Sequence, residues 1–310
     1  MADNTASLRL GTRASALARW QADWVAARLQ ELGVAVELVP ITTQGDAKTG
    51  PLGQIGGQGL FTKELQRSLL DEQIDLAVHS LKDLPTAPVE GLLVAAVPLR
   101  ESTADALISN KAARIEDLPP AARIGTGSLR RKAQLLHLRP DLVVEDIRGN
   151  VETRLRKLDE GGYDAIVLAE AGLRRLGLAD RIKQKLVPPV MLPAVGQGAL
   201  GIETRADDLR TRQLVAPLDH EPTHLAVVAE RTLLLALRAG CLAPVGALSI
   251  AEGARLSLTA VVLSQDGKKR LVAAAAMTTS DAIHLGQMIA EELISQGAAE
   301  LIASAHRDPS

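Results

Sequence analysis

At 310 residues and a formal charge of −2, from 35 Lys+Arg against 37 Asp+Glu, the chain lacks the basic surplus of a generic nucleic-acid binder. Its aromatic residues, Trp20, Trp24, Phe61 and Tyr163, are too few to build stacking platforms for single strands. No apolar run reaches the roughly 18–20 residues of a membrane span, and 46% hydrophobic against 23% charged residues is the balance of two or three globular domains with aliphatic cores.

The opening Met-Ala-Asp-Asn-Thr-Ala-Ser has no basic segment followed by an apolar core, so no secretory signal is expected. Leu8–Gly11 reads as a strand. Ser15–Leu32 reads as a helix with Leu17, Trp24, Val25, Leu29 and Leu32 on one broad face, stopped by Gly33. Val34–Ile41 is a strand, Phe61–Asp71 a helix, and Ile74–Val78 and Leu92–Val97 are buried strands. A second series begins near Arg100: strand Arg123–Gly125, helix Ser128–Leu138, strand Leu142–Ile147, helix Val151–Glu160 and strand Ala165–Leu168. Strands alternating with helices predict crossover units and parallel sheets with helices on both faces. After Pro222 the pattern changes to a helix over about Thr223–Ala239, then strands Arg255–Leu263 and Lys269–Met277 around an Asp266-Gly267 turn. A last helix, Asp281–Gln296, is capped by Ser280 in this reading, giving an α+β module of its own.

Several motifs carry chemistry. Gly50–Gly59 holds five glycines without the Gly-Lys-Ser/Thr of a phosphate loop, and it reads as a mobile lid or as an ordinary flexible loop. In Asp75–Pro85 an apolar strand runs into His79, Ser80, Lys82 and Asp83, and ligands of parallel α/β sheets bind at such carboxyl ends. Asp83 beside Lys82 can stay ionised and face a cationic reaction centre, whereas a solvated surface pair is the plainer reading. Arg13, Arg130, Arg131, Arg148 and Arg154 all lie at strand-to-helix turns, where free helix amides and guanidinium forks together favour carboxylates. His220-Glu221-Pro222-Thr223-His224 imitates a zinc motif, but Pro222 starts the helix and leaves His220 outside it, so no metal is expected. Cys241, the single cysteine, rules out an intrachain disulfide and fits the reducing cytoplasm. Its Gly-Cys-Leu-Ala-Pro loop leaves a reactive thiol and a buried small hydrophobe both open.

Taken in order, Arg13–Ala18, Gly56–Leu65, Ala77–Pro85, Gly125–Arg131, Leu138–Asp141, Arg148–Val151, Tyr163–Ile166, Ala171–Leu178, Leu192–Gly198 and Gly240-Cys241 resemble the porphobilinogen deaminase family across nearly the whole chain. The resemblance implies a transferase that joins four porphobilinogen units head to tail, releasing ammonia, to give hydroxymethylbilane in tetrapyrrole (porphyrin, heme) biosynthesis. It implies a dipyrromethane cofactor attached through a thioether at Cys241, with Asp83 as the acid/base residue. Lys82, Arg130, Arg131, Ser128, Thr126, Arg148 and Arg154 are then expected on the cofactor, and Arg13, Ser15, Arg148, Arg154 and Arg175 on the substrate. The implied fold is α/β, with two doubly wound domains like those of periplasmic binding proteins. These are residues 1–99 with 199–217, and 100–198; a small α+β domain over 221–310 carries the cysteine. A cytoplasmic monomer using neither nucleic acid nor membrane is expected.

The chemistry of the residues agrees, because each porphobilinogen brings two carboxylates that call for guanidinium partners. Loss of ammonia leaves an electron-poor azafulvene-like centre that an ionised Asp83 stabilises. The chain departs from the family at Gln54 and Gln58, where lysines are common, and at Gly127, where serine is common. The competing expectation is a non-enzymatic carboxylate-binding protein of periplasmic-binding architecture. A covalent adduct in the intact mass separates the two.

Overall fold

Leu8 and Leu10 are both fully buried along β1 (Leu8–Thr12), which therefore lies inside a sheet rather than at its edge. The computed structural model describes residues 7–41, 62–240 and 243–307. After β1 come α1 (Ala16–Glu31), β2 (Val36–Pro40), α2 (Lys63–Leu70), β3 (Leu76–Ser80) and β4 (Leu92–Ala96). The next series is β5 (Asp105–Ser109), β6 (Arg123–Gly125), α3 (Leu129–Leu138), β7 (Val143–Glu145), α4 (Val151–Asp159), β8 (Ala165–Ala169), α5 (Glu170–Arg175) and β9 (Gln184–Leu186). The chain continues through β10 (Leu200–Arg205), α6 (Leu209–Val215), α7 (Glu221–Ala236), β11 (Val245–Glu252), β12 (Arg255–Leu263), β13 (Arg270–Thr278), α8 (Ala282–Ser295) and α9 (Ala298–Arg307).

Two units result, residues 1–100 with 199–224, and residues 101–198 with 225–310. In the first, the strand order is β2-β1-β3-β10-β4, with β10 antiparallel to its neighbours. Leu8, Leu10, Leu76, Val78 and Ile202 meet α1 on one face, and Ala77 meets Leu65 and Leu69 of α2 on the other. In the second, the order β7-β6-β8-β5-β9 repeats that plan, with β5 antiparallel. Its α3 covers one face through Leu135, and α4 covers the other through Leu155 and Leu158. The sheets are thus mixed rather than wholly parallel. β5 is the first strand after the chain enters its sheet, and β10 the first after it returns. Neither follows a crossover helix from a neighbour in its own sheet, so neither is held to the parallel direction.

The second unit also contains a meander, β11-β12-β13, whose inner face packs Leu256, Leu258, Ala260 and Val262 against α7, α8 and α9. The hairpin turn at Asp266-Gly267 forms where the dipeptide predicts it, with Gly267 at φ +73°. Ser280, expected to cap the last long helix, instead hydrogen-bonds Thr278; Asp281 holds the cap position without a side-chain bond to the helix. The meander meets α3 and the segment after β9 through Ala133, Leu192, Val261 and Leu263.

Candidate active site

In the first unit the predicted residues gather at the carboxyl ends of two adjacent strands, β1 and β3. The buried Thr12 closes β1 and donates from Oγ1 to Ala18 O at 3.2 Å. This turns the chain so that Arg13 leaves the strand and Ser15 caps α1, accepting from Ala18 N at 3.4 Å. β3 runs directly into a single 3₁₀ turn, Leu81–Asp83. Leu81 anchors that turn with a fully buried side chain and an N–H bonded to Ala199 O at 3.0 Å, leaving Lys82 half-buried and Asp83 exposed.

The end of β3 is tied on both faces. Ser80 Oγ accepts from Gln21 Nε2 at 2.8 Å on the α1 side. On the α2 side His79 Nε2 lies 2.9 Å from Glu203 Oε2, while Gln66 Nε2 donates to Glu203 Oε1 at 2.9 Å. Gln21, Gln66, His79 and Glu203 are all buried. A buried carboxyl satisfied by neighbouring polar groups resists displacement, so an exposed Asp83 gains a fixed base. Sequence reasoning missed Gln21, Gln66 and Glu203. An acid inside the apolar run Leu200-Gly201-Ile202-Glu203 is the signal that would have found the last.

In the second unit, Thr126 and Ser128 follow β6. Ser128 N donates to Thr126 Oγ1 at 3.3 Å, and Ser128 Oγ caps α3 by accepting from Arg131 N at 3.4 Å. Arg148 follows β7 and donates from Nε to Asp146 Oδ2 at 2.6 Å. Arg154, in the first turn of α4, donates from Nε to Gly149 O at 2.8 Å. Gly127 lets these turns approach, since a Cβ there would lie 2.9 Å from Asp146 Oδ1 and 3.3 Å from Ile147 O.

Arg130 and Arg131 turn inward. Arg130 Nη1 lies 2.7 Å from Asp105 Oδ2, and Arg131 Nη2 lies 2.7 Å from Asp105 Oδ1. Gln197 Nε2 adds a third donor to Asp105 at 3.0 Å. The strand-end position predicted for these arginines is observed, but in this structure their carboxylate partner is Asp105. Burial alone would push the Asp105 carboxyl up; Arg130 and Arg131 outweigh it and hold the group well below the ordinary carboxylate range. The same burial pulls the Arg130 guanidinium down, with Asp105 opposing. Two guanidiniums against one carboxylate leave a formal +1 in a place water hardly reaches. Among the described residues Arg130 Nε is buried without an acceptor. Arg175, at the end of α5, donates to Gly198 O at 2.7 Å and is pulled down to about 10 by burial, against the opposing pull of Glu101.

Cys241 and the glycine-rich segment Gly50–Gly59, with Gln54 and Gln58, lie outside the described residues. The chain on either side of the cysteine is anchored by Ala239 N to Leu234 O at 3.1 Å and Ala243 N to Gly240 O at 3.0 Å. His220 stands before α7, as Pro222 requires, with Nδ1 2.8 Å from Thr223 Oγ1; His224 Nδ1 pairs separately with Asp219 at 2.8 Å.

A family model described as "Porphobilinogen deaminase, dipyromethane cofactor binding domain" matches residues 8–213, and one described as "Porphobilinogen deaminase, C-terminal domain" matches residues 224–295. A curated relative named porphobilinogen deaminase, from Acidithiobacillus ferrooxidans, is 50% identical over 299 residues, covering 96% of this chain and 97% of its own. The protein of that name from a second strain aligns equally well. Among solved structures, the methionine-binding protein MetQ aligns at 14% identity and a TM-score of 0.46, over 68% of this chain and 89% of its own. A nutrient-binding protein from Burkholderia cenocepacia bound to methionine aligns at 14% identity and a TM-score of 0.43, over 67% and 90%.

Proposed function

The chain belongs to the porphobilinogen deaminase family, and we propose how its own residues divide the work of that transferase, which joins four porphobilinogen units into hydroxymethylbilane with loss of ammonia. The family's cofactor is dipyrromethane, whose pyrrole rings carry carboxylates. The residues here fit such a group on one observation above all: Asp105 neutralises only one of the two buried guanidiniums beside it, and Arg130 Nε is left without an acceptor among the described residues. A ligand carboxylate placed there restores neutrality and supplies the missing acceptor. When bound, the cofactor supplies the pyrrole carbon to which substrate units are added.

Arg130 and Arg131 hold cofactor carboxylates, aided by Lys82, by the hydroxyls of Thr126 and Ser128, and by Arg148 and Arg154. Arg13, Ser15 and Arg175 hold substrate carboxylates, sharing Arg148 and Arg154 as the chain grows. Asp83 is the catalytic residue. Its exposed carboxylate stabilises the positive charge that develops on substrate as ammonia leaves, and takes up and returns the pyrrole proton. Cys241 carries the thioether. We place the protein in the cytoplasm, in keeping with its single cysteine, as a monomer that works without nucleic acid. Residues 221–310 act as a third domain, supported by their own sheet and core.

Intact mass of the purified chain tests this reading. A covalent adduct about two pyrrole units heavy, mapped to Cys241, is expected. An unmodified chain with full turnover would overturn it. Light scattering giving more than one chain per particle would overturn the monomer.

A further inference from the structure

Leu192–Gly198 is held from two sides within the second unit. On the side of the C-terminal meander, Ala247 N donates to Pro193 O at 2.9 Å. The fully buried Glu230 of α7 accepts from Gly196 N at 2.7 Å and, with its other oxygen, from Ser249 N at 2.9 Å. On the side of the five-stranded sheet, Arg130 Nη1 donates to Leu192 O at 2.6 Å, Gln197 Nε2 to Asp105 Oδ1 at 3.0 Å, and Arg175 Nη2 to Gly198 O at 2.7 Å. The segment has no slack. Gly198 sits at φ +85°, and a Cβ on it would come within 2.3 Å of Glu101 O.

We infer that Glu230 is a positioning residue. By pinning Gly196 it sets, through Leu192–Gly198, where Arg130, Arg131 and Arg175 stand relative to the module whose sequence carries Cys241. The inference rests on the proposed role of those arginines as carboxylate holders. α7, which bears Glu230, ends at Ala236, shortly before Cys241 in the chain. A ligand tethered at the cysteine and gripped by the arginines needs both ends in register. Misplacement by about 1 Å is enough to cost on the order of 100-fold in a reaction that depends on positioning.

The test uses the full-length holoprotein with Glu230→Gln, which preserves volume but turns an amide NH₂ toward one of the two backbone donors. Hydrogen exchange at Gly196, the cofactor-loaded fraction by intact mass, and the distribution of substrate adducts by native mass spectrometry are read together. Leu285→Ala serves as the comparison, since it opens the core that Val195 shares while leaving in place the hydrogen bonds that hold Leu192–Gly198. Gly196 exchange is expected to rise about tenfold in Glu230→Gln. Loading and adduct formation are expected to fall well below those of Leu285→Ala at equal folded fraction. Wild-type loading despite faster exchange, unchanged exchange at Gly196, or an equal loss in both variants would each overturn the inference. Should Glu230→Gln not fold, Gln197→Leu cuts the same linkage at Asp105, and normal loading in that variant overturns it. Arg131→Leu separates the premise from the inference: normal loading there removes the arginine assignment itself, whereas a defect there beside normal Glu230→Gln removes only the coupling.

Discussion

Asp105 and Arg130 form a two-pronged contact, 2.7 Å from Nη1 to Oδ2 and 3.2 Å from Nη2 to Oδ1, with both side chains almost wholly removed from water. Arg131 shares the same carboxylate. Removing the acid strands two buried cations, which costs far more than the pair itself is worth. Asp105→Asn is therefore expected to lose about 3–5 kcal/mol of unfolding free energy in denaturant titration. A loss under about 1 kcal/mol would mean that water or another acid already serves these guanidiniums.

The same contact sets a pH dependence. Burial opposes ionisation of Asp105 but the arginines prevail, so its folded pKa lies below the unfolded value of 3.8. A depressed acid contributes stability that is fully present above the unfolded pKa and disappears as pH falls through the folded one. The stability gap between wild type and Asp105→Asn should be flat near neutrality and should narrow only below about pH 4. A gap that closes between about pH 5 and 7 would point to a different titrating group.

Arg148 is a different kind of arginine. It is half-exposed, and its bond to Asp146 belongs to a surface pair worth less than about 1 kcal/mol. Arg148→Leu should leave the melting temperature nearly unchanged yet shift the population of one- to four-unit substrate adducts seen by native mass spectrometry. A wild-type distribution would take Arg148 out of the site.

These two arginines also show what a sequence can disclose. Both were legible as strand-end cations, because the alternation of apolar runs and amphipathic stretches places Arg130 and Arg148 just after β6 and β7. Their opposite burial was not legible. It depends on Asp105, whose strand β5 is five residues long with polar residues at both ends and carries little pattern of its own. β9, only three residues long, and β11, diluted by Gly246, Ala247 and Ser249, were missed for the same reason. The antiparallel direction of β5 and β10 is set by chain passages between sheets, which local periodicity does not encode. Glu203 and Glu230 escape for a related reason: each reads locally as an ordinary acid, and only long-range packing buries it against His79 in one case and Gly196 in the other.

Cys241→Ser should fold as wild type and lack the covalent adduct, because an alcohol is a poor replacement for a thiol nucleophile. Denaturant titration and intact mass measure the two halves of that statement on one sample. An adduct of unchanged mass on the serine variant would move the attachment elsewhere in the chain.

Asp83→Asn separates mechanism from scaffold. The substitution keeps size and most hydrogen bonding but removes the negative charge and the proton acceptor. Asp83 is exposed at the end of a strand whose last residues are tied by Gln21–Ser80 on one face and His79–Glu203–Gln66 on the other, so the change should not disturb the fold. If its carboxylate stabilises the cation formed as ammonia leaves, single-turnover ammonia release at saturating substrate should slow by at least ~100-fold. Carboxylate binding through the arginines should persist, so stalled substrate adducts should accumulate in the native mass spectrum. Asp83→Glu should recover part of the rate, since the charge returns at a displaced position. A solvated Lys82–Asp83 surface pair instead predicts under about 1 kcal/mol of effect and near-normal turnover. An Asn variant within about threefold of the wild-type rate would leave Asp83 as scaffold and return the search for the charge-stabilising group to the remaining acids of the site.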